Sequence, residues 1–225
     1  MKKRACFPLL LAIGGISYAD NGIDIDCQQM GDGGIVQCHF SANEQSGYGI
    51  TNMPYALCSK ARCLLSDDKK SADCRCQLQN NKNGWQSLSL SPTPYASAKP
   101  TYNKKHELQS LQSNYSQANV RNFNDSVEYP CHYDSPQRWA NCYGVRCQVK
   151  SVIVDAKVQQ VASCLCPVKR STSFYIGESK ASACDLTKDE VLSASSGVDL
   201  KNSSANPIAL LYQKLYPGSL PTQAS

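Results

Sequence analysis

Residues 58–76 read CSKARCLLSDDKKSADCRC, and the order of these cysteines and their neighbours occurs a second time in the chain. With the residues before it, the first copy contains Cys38-His39-Phe40, Tyr55-Ala56-Leu57-Cys58, Ala61-Arg62-Cys63 and Ala72-Asp73-Cys74-Arg75-Cys76. The second copy contains Cys131-His132-Tyr133, Trp139-Ala140-Asn141-Cys142, Val145-Arg146-Cys147 and Ala162-Ser163-Cys164-Leu165-Cys166. Agreement over ten cysteines and their neighbours predicts an internal duplication of one structural unit.

Each copy contains a segment that predicts a β-hairpin. Cys63 and Cys74 lie symmetrically about Asp68-Lys69, and Cys147 and Cys164 lie symmetrically about Asp155-Ala156. The second hairpin is longer by three residues in each arm, which preserves the pairing register. It is also rich in valine and isoleucine, as strands are. Because side chains alternate along a strand, the cysteines of each hairpin are expected on one core-facing surface.

The repeat also predicts the domain organisation and the fold class. We expect small disulfide-rich β modules that contain β-hairpins and are internally duplicated, with minor helix in a linker and in a C-terminal tail. The linker is rich in Ser, Gln and Asn, with one weak helix around Lys105–Leu111. The predicted segments are a signal peptide at 1–19, a first module at 20–87, a polar linker at 88–125, a second module at 126–184 and a tail at 185–225 with a short helix at 207–216.

The N-terminal segment has the pattern of a cleavable secretory signal. Lys2-Lys3-Arg4 precede an apolar run at residues 5–16, and small residues follow at Ser17 and Ala19. The pattern predicts a secreted or periplasmic protein without a membrane anchor, because no later stretch approaches the roughly 18 apolar residues of a spanning helix. Without the signal, the chain has 20 basic and 18 acidic residues, which is too weak an excess to indicate a nucleic-acid partner.

Twelve cysteines follow the predicted cleavage point, and an even number in an oxidising compartment predicts that all of them form disulfides. The spacings of a zinc ribbon are absent from the sequence, so we expect neither a metal site nor a cofactor. The predicted disulfide cysteines are Cys27, Cys38, Cys58, Cys63, Cys74, Cys76, Cys131, Cys142, Cys147, Cys164, Cys166 and Cys184.

The parity of the cysteines restricts how they can pair. Each copy has five, so one in each needs a partner outside the repeat. The simplest scheme gives Cys27 to the first copy and Cys184 to the second, which closes three disulfides in each half. A Cys27–Cys184 bond is the alternative, and it would require a further bridge between the copies. The pairs across each hairpin are geometrically possible, but the remaining connectivity stays open.

The sequence offers few residues with a claim on catalysis, and we expect none to be catalytic. His39 and His132 occupy matching positions beside cysteines, but no nucleophile motif accompanies them. Asp67 and Asp68 resemble paired carboxylates, yet they lie at a predicted hairpin tip and have no equivalents in the second copy. The Cys-x-Cys pairs end strands, which favours a structural role over a redox role.

The leading functional hypothesis is a tandem-repeat binding protein whose partner is an extracellular protein or glycan. The segment Asn43–Met53 is expected to be a variable surface loop, and four aromatic residues are candidate contacts: Tyr48, Tyr55, Trp85 and Tyr102. The alternative is a secreted enzyme, either a hydrolase that uses His39 or His132 or a thiol-disulfide oxidoreductase that uses a Cys-x-Cys pair.

Three asparagines, Asn114, Asn124 and Asn202, lie in N-x-[ST] sequons. In a eukaryotic secretory pathway such sites can carry glycans, whereas in a bacterium the motif has no such meaning. Composition does not distinguish these two sources.

Overall fold

The structure is a computed structural model that describes residues 23–31, 34–42, 45–59, 61–79, 88–114, 129–154, 156–177, 184–187, 189–195 and 211. The predicted signal peptide, Trp85, Asn124, Asn202 and most of the predicted tail helix lie outside these residues. The described part is nearly all β, which confirms the predicted fold class. Within it, no helix is long and apolar enough to span a bilayer.

The described strands, numbered in chain order, are β1 (Ile23–Met30), β2 (Ile35–Ala42), β3 (Gln45–Thr51), β4 (Tyr55–Leu57), β5 (Arg62–Leu65), β6 (Ser71–Gln79), β7 (Leu88–Ser91), β8 (Thr101–Tyr102), β9 (Leu108–Asn114), β10 (Tyr129–Ala140), β11 (Arg146–Val154), β12 (Lys157–Ile176) and β13 (Glu190–Leu192). A short helix, α1 (Tyr95–Ala98), lies between β7 and β8.

The strands form two sheets. A small antiparallel sheet has the order β1-β2-β3-β7 and belongs to the N-terminal half of the chain. A large sheet has the order β10-β12-β11-β9-β4-β6-β5-β13, with β8 added to β9 and a further pairing between β12 and β6. The large sheet contains the hairpins of both copies, so the two copies meet in one structure rather than as separate units.

The two copies are related by an approximate twofold axis between β6 and β12. These strands are antiparallel, and Cys74 lies opposite Cys164, its equivalent in the other copy. On either side, Cys76 pairs with Ala162 and Ala72 pairs with Cys166, again as symmetric exchanges. Such self-matching pairing is the geometry of an isologous dimer interface, here formed within one chain.

The extra pairing of β6 with β12 closes two rings of five strands. The first ring consists of β4, β6, β12, β11 and β9, each hydrogen-bonded to the next. The second ring consists of β10, β12, β6, β5 and β13, and a bridge between Ala140 and Ser193 closes it. The twofold axis relates β9 to β13. The backbone N–H of Ser113 on β9 donates to the carbonyl oxygen of Val145, and the backbone N–H of Ser193, next to β13, makes the equivalent bond to the carbonyl oxygen of Ala61.

Six disulfides brace the described fold, and three fall in each half of the chain. In the first ring, Cys58–Cys76 lies beside Cys147–Cys164, with 3.7 Å between the sulfurs of Cys58 and Cys164. The second ring contains Cys63–Cys74 and Cys142–Cys166. The remaining bonds are Cys27–Cys38 and Cys131–Cys184, which is the partition that the cysteine parity predicts.

The segment predicted as a polar linker contributes strands to both sheets. The helix predicted around Lys105–Leu111 is wrong, because β9 begins at Leu108 and pairs with β11. Its polar side chains find hydrogen-bond partners: the Ser113 hydroxyl donates to the carbonyl oxygens of Cys142 and Val145. A polar strand of this kind lacks the apolar alternation by which strands are recognised in a sequence.

Candidate functional site

The candidate site lies on one face of the small sheet. Residues directly opposite one another in neighbouring strands point to the same side of a sheet. One row of such residues crosses three strands, from Asp26 on β1 to His39 on β2 and Tyr48 on β3. The next row runs from Asp24 to Ser41 and Ser46. We call the surface formed by these six residues the open face.

Most of the open face is accessible to solvent. Asp24, Asp26, His39 and Ser46 are exposed, whereas Tyr48 and Ser41 are half-buried. The imidazole of His39 and the ring of Tyr48 lie with their centroids 5.2 Å apart and their planes tilted by 56°. The open face therefore combines an aromatic pair with two carboxylates and two hydroxyl groups.

The other half of the same sheet face is covered by the chain itself. Ile50 packs against Met53 and Ala98, and all three are buried. The backbone N–H of Tyr95 donates to the side-chain carbonyl of Gln37 at 2.6 Å, which attaches α1 to the sheet. This cluster also contacts Tyr48, so the open face adjoins the covered part of the sheet at Tyr48.

The reverse side of the small sheet holds it rigid. The Cys27–Cys38 disulfide joins β1 to β2 at the residues next to Asp26 and His39. Leu211, the described residue of the predicted tail helix, is helical and fully buried against this side. A Cβ atom at Gly49 would lie 2.8 Å from Leu211 Cδ1, so only glycine allows this close approach.

The small sheet belongs to an acidic part of an otherwise basic chain. The sequence has no Lys or Arg from Ala5 to Ser59, although the whole chain has 23 basic and 18 acidic residues. The same stretch contains five acidic residues, of which Asp24 and Asp26 lie on the open face. The exposed carboxylates of Asp24 and Asp26 therefore give the open face negative charge, which disfavours anionic ligands.

The structure places the predicted contact residues differently. Tyr48 lies on the open face, as a contact residue should, and Tyr102 is 52% exposed on β8. Tyr55 is only 4% exposed on β4, so its prediction as a contact is wrong. The prediction of a loop at Asn43–Met53 is also wrong over most of its length, because β3 occupies Gln45–Thr51.

The two histidines lie in different settings. His39 faces Asp26 and Tyr48 across the small sheet, whereas His132 lies opposite Ser173 where β10 pairs with β12. Among the hydrogen bonds of the described residues, none joins His39 to a hydroxyl group. Sequence reasoning recognised His39 but missed Asp26, although a hairpin that pairs Cys27 with Cys38 must also pair Asp26 with His39.

The cysteine sulfurs form two close groups, Cys58 with Cys76 and Cys164, and Cys63 with Cys74 and Cys142. Spacing of this kind can hold a metal ion when the cysteines are thiolates. Here all six are buried and bonded in disulfides, so the groups reflect disulfides packed against each other. In both Cys-x-Cys pairs each cysteine is buried and bonded to a cysteine outside the pair, whereas an oxidoreductase needs an accessible redox pair.

The sequon at Asn114 is buried in the folded protein. Asn114 is 1% exposed at the end of β9, and its side-chain amide shares a hydrogen bond of 3.0 Å with the Ser89 hydroxyl. A glycan on this side chain has no space in the fold. The sequon motif at Asn114 therefore marks a structural asparagine.

A small cavity of about 100 Å³ lies beside the first ring and is lined by Leu57, Ala61, Arg75 and Gln77. Pockets that enclose drug-sized ligands are several times larger, on the order of 300 Å³ or more. No family model, curated protein or solved structure was found to match this chain. The open face is the surface of the described residues on which aromatic, imidazole, carboxylate and hydroxyl groups are brought together by strand pairing.

Proposed function

We propose that this protein is a secreted or periplasmic binding protein and that the open face is its binding surface. The observation that carries the proposal is the row of Asp26, His39 and Tyr48 on an uncovered sheet face. Six disulfides support the extracellular or periplasmic compartment, because such density is typical of proteins that fold in an oxidising environment.

The rigidity of the small sheet supports a role in binding. The side chains of the open face stand on paired strands, and the Cys27–Cys38 bond and Leu211 fix the sheet from behind. A ligand would therefore meet groups that are already in position, and little conformational entropy would be lost on binding. Rigid scaffolds that hold a few polar and aromatic contacts are suited to recognition.

The chemistry of the open face favours a glycan over a protein partner. The centre of a protein interface is depleted of charge and enriched in apolar and aromatic side chains. The open face has no aliphatic residue, two carboxylates, two serines and one half-buried tyrosine. A sugar offers hydroxyl donors to the carboxylates and apolar C–H groups to the tyrosine ring.

Charge narrows the class of glycan further. With Asp24 and Asp26 on the surface and no Lys or Arg between Ala5 and Ser59, a sulfated or carboxylated sugar would be repelled. A neutral sugar would be accepted, and a sugar with a free amine would be attracted. The proposed ligand is therefore a neutral or amine-bearing glycan.

A hydrolase that uses His39 is the competing function. Asp26 lies opposite His39 and could orient the imidazole, as a carboxylate does in hydrolytic triads. Ser41, two residues along β2, is the hydroxyl group nearest in sequence on the same face. This arrangement lies on an open sheet surface, and a surface that does not exclude water suits binding better than covalent catalysis.

The proposal is tested with an array of neutral, amine-bearing and acidic glycans, using the mature oxidised protein. Tyr48→Ala should weaken binding of the best glycan about 10-fold or more, as loss of a central tyrosine commonly does. Asp26→Asn should weaken binding of an amine-bearing glycan more than that of a neutral one. Tyr102→Ala is the matched control, because Tyr102 is an exposed tyrosine away from the open face, and it should bind normally.

Three results would count against the proposal. Equal losses in Tyr48→Ala and Tyr102→Ala would place the site elsewhere, and a preference for sulfated glycans would contradict the charge argument. Capture of a protein ligand that Tyr48→Ala abolishes would replace the glycan with a protein partner. Hydrolysis of a bound glycan that His39→Gln abolishes, with the disulfides intact, would establish the enzyme.

A further inference from the structure

The hairpin of the second copy extends beyond the rings. β11 is paired with β9 only at Arg146–Gln148, and β12 is paired with β6 only from Val161 onward. Among the described strands, residues 149–154 of β11 pair only with β12, and residues 157–160 of β12 pair only with β11. We call these residues the ribbon. At about 3.3 Å per residue, the ribbon projects roughly 20 Å.

One face of the ribbon continues the core of the first ring. Side chains alternate along β11, so Ile153 points to the same side as Cys147 and Val149. Val158 lies directly opposite Ile153 and shares that side. Outside the ring no described residue covers this face: Ile153 is 77% exposed and Val158 is 73% exposed.

The first copy shows that ring closure does not require the ribbon. Its hairpin has the same pairing of Cys63 with Cys74, but the last paired residues are Leu65 and Ala72. A polar turn follows, in which Asp68 accepts hydrogen bonds from the Ser66 hydroxyl and the Lys70 backbone N–H. The longer apolar hairpin in the second copy is therefore an addition to a ring that closes without it.

An uncovered apolar ribbon is unfavourable for an isolated molecule. Two-stranded ribbons without neighbours are marginally stable in water, and contiguous exposed apolar surface usually marks an interaction site. Burying a valine or isoleucine side chain stabilises the buried state, so a partner that covers Ile153 and Val158 would be favoured.

A lipid surface matches poorly, because the sequence places an aspartate, Asp155, between β11 and β12, and an ionised carboxylate is costly to dehydrate. A second copy of the chain matches well. The apolar face carries Val149, Ser151, Ile153, Val158 and Gln160 and no charged residue, so two such faces do not repel each other. Lys150 and Lys157 point to the opposite side and would remain in solvent.

We infer that two copies of this protein associate through their ribbons, with the faces that carry Ile153 and Val158 packed against each other about a twofold axis. An isologous contact of this kind needs only one self-complementary patch. The chain already joins its own two halves by a symmetric contact between β6 and β12. The contact between ribbons is small and falls in the class below about 1,200 Å², so association is weak and depends on concentration.

Sedimentation equilibrium of the mature oxidised protein between about 1 μM and 1 mM tests the inference. The weight-average mass should rise toward twice that of the monomer. Ile153→Lys and Val158→Lys should each hold the protein as a monomer across the range, because each buries a charge in the contact. Leu64→Lys is the matched control: Leu64 is 57% exposed on the hairpin of the first copy, and its variant should dimerise normally.

A monomer at every concentration would overturn the inference, and so would a dimer that Ile153→Lys and Val158→Lys leave intact. Equal loss of the dimer in Leu64→Lys would place the contact elsewhere. Phosphatidylcholine vesicles provide a further comparison with a lipid partner. Monomeric protein that binds these vesicles, and loses binding in Ile153→Lys, would replace the second copy with a lipid surface.

Discussion

The two copies agree closely in the rings and differ outside them. The C-x4-C and Cys-x-Cys cysteines form equivalent bonds, so that Cys58–Cys76 corresponds to Cys142–Cys166 and Cys63–Cys74 corresponds to Cys147–Cys164. The Cys-His-aromatic segments, in contrast, have different surroundings. In the first copy the segment lies in the separate small sheet, whereas in the second it lies in the long pairing of β10 with β12.

The difference follows from where each leading cysteine finds its partner. Cys38 bonds to Cys27, which precedes the repeat by a short hairpin, and Cys131 bonds to Cys184, which follows it. The first copy thereby gains a sheet with an exposed face, and the second gains a packed cluster around Trp139. Conserved spacing within a duplication fixes the shared core, while cysteines outside the repeat decide what each copy presents to solvent.

The experiment with the largest expected effect separates the two copies. Cleavage at a protease site placed between residues 115 and 125 should leave the two parts associated under native conditions, because β6 pairs with β12 and β9 pairs with β11. In concentrated urea without reductant the two fragments should separate completely, since no disulfide joins the copies. Mass spectrometry of the denatured mixture measures this. Fragments that stay joined until they are reduced would refute the partition.

The second test asks whether the equivalent disulfides contribute equally. Replacing both cysteines of Cys63–Cys74 by alanine, or both of Cys147–Cys164, should each lower the free energy of unfolding by about 3 kcal/mol. The bonded cysteines are 11 and 17 residues apart in sequence. The dependence of loop entropy on loop length therefore predicts that the two losses of unfolding free energy differ by only about a few tenths of a kcal/mol. Urea unfolding of both variants gives the values. Losses that differ by more than about 1 kcal/mol would show that the rings are not energetically equivalent.

The third test concerns the small sheet, which the second copy lacks. Gly49→Ala should destabilise the protein by roughly 2 kcal/mol, because the new methyl group meets Leu211 and Leu88. In a Leu211→Ala background the same substitution should cost less, since the smaller side chain leaves room. A double-mutant cycle of unfolding free energies measures this coupling. Strict additivity would mean that the tail does not pack on Gly49.

The smallest expected effect distinguishes the two hairpin tips. Hydrogen bonds from Ser66 and Lys70 hold the pKa of Asp68 below its usual value. A carboxyl group with a lowered folded-state pKa stabilises the protein above its ordinary pKa, and this contribution is lost as the pH falls through the folded value. Asp68→Asn should therefore make the free energy of unfolding depend slightly less on pH in the acidic range. Asp67→Asn, one residue away, is the control and should leave that region unchanged.

The sequence was most informative where a cysteine pair and strand alternation act together. Symmetry about Asp68-Lys69 predicted the pairing of Cys63 with Cys74, and the same reasoning placed Cys147 opposite Cys164. The pairing of β6 with β12 joins residues about 90 positions apart and has no local signal, because any two cysteine-rich strands could meet in this way. Contacts of such sequence separation depend on the whole fold.

At the candidate site, too, the sequence predicted individual residues but not the contacts between strands. His39 and Tyr48 were each recognised by residue type, but their contact depends on the register of β2 with β3. Tyr55 was selected by the same criterion and is buried, because residue type alone does not tell which side of a strand faces the core. β9 was missed for a different reason, since its buried Ser113 and Asn114 are satisfied by hydrogen bonds rather than by apolar packing.

The position of β13 has a consequence for the order in which the protein can fold. β13 covers the edge of β5, yet its first residue, Glu190, is made long after Leu65. At about 5 to 20 residues per second, ribosomal synthesis leaves that edge without its partner for roughly 6 to 25 seconds. During this interval the nascent chain exposes a strand edge to its neighbours, and a chaperone that shields such edges would act there.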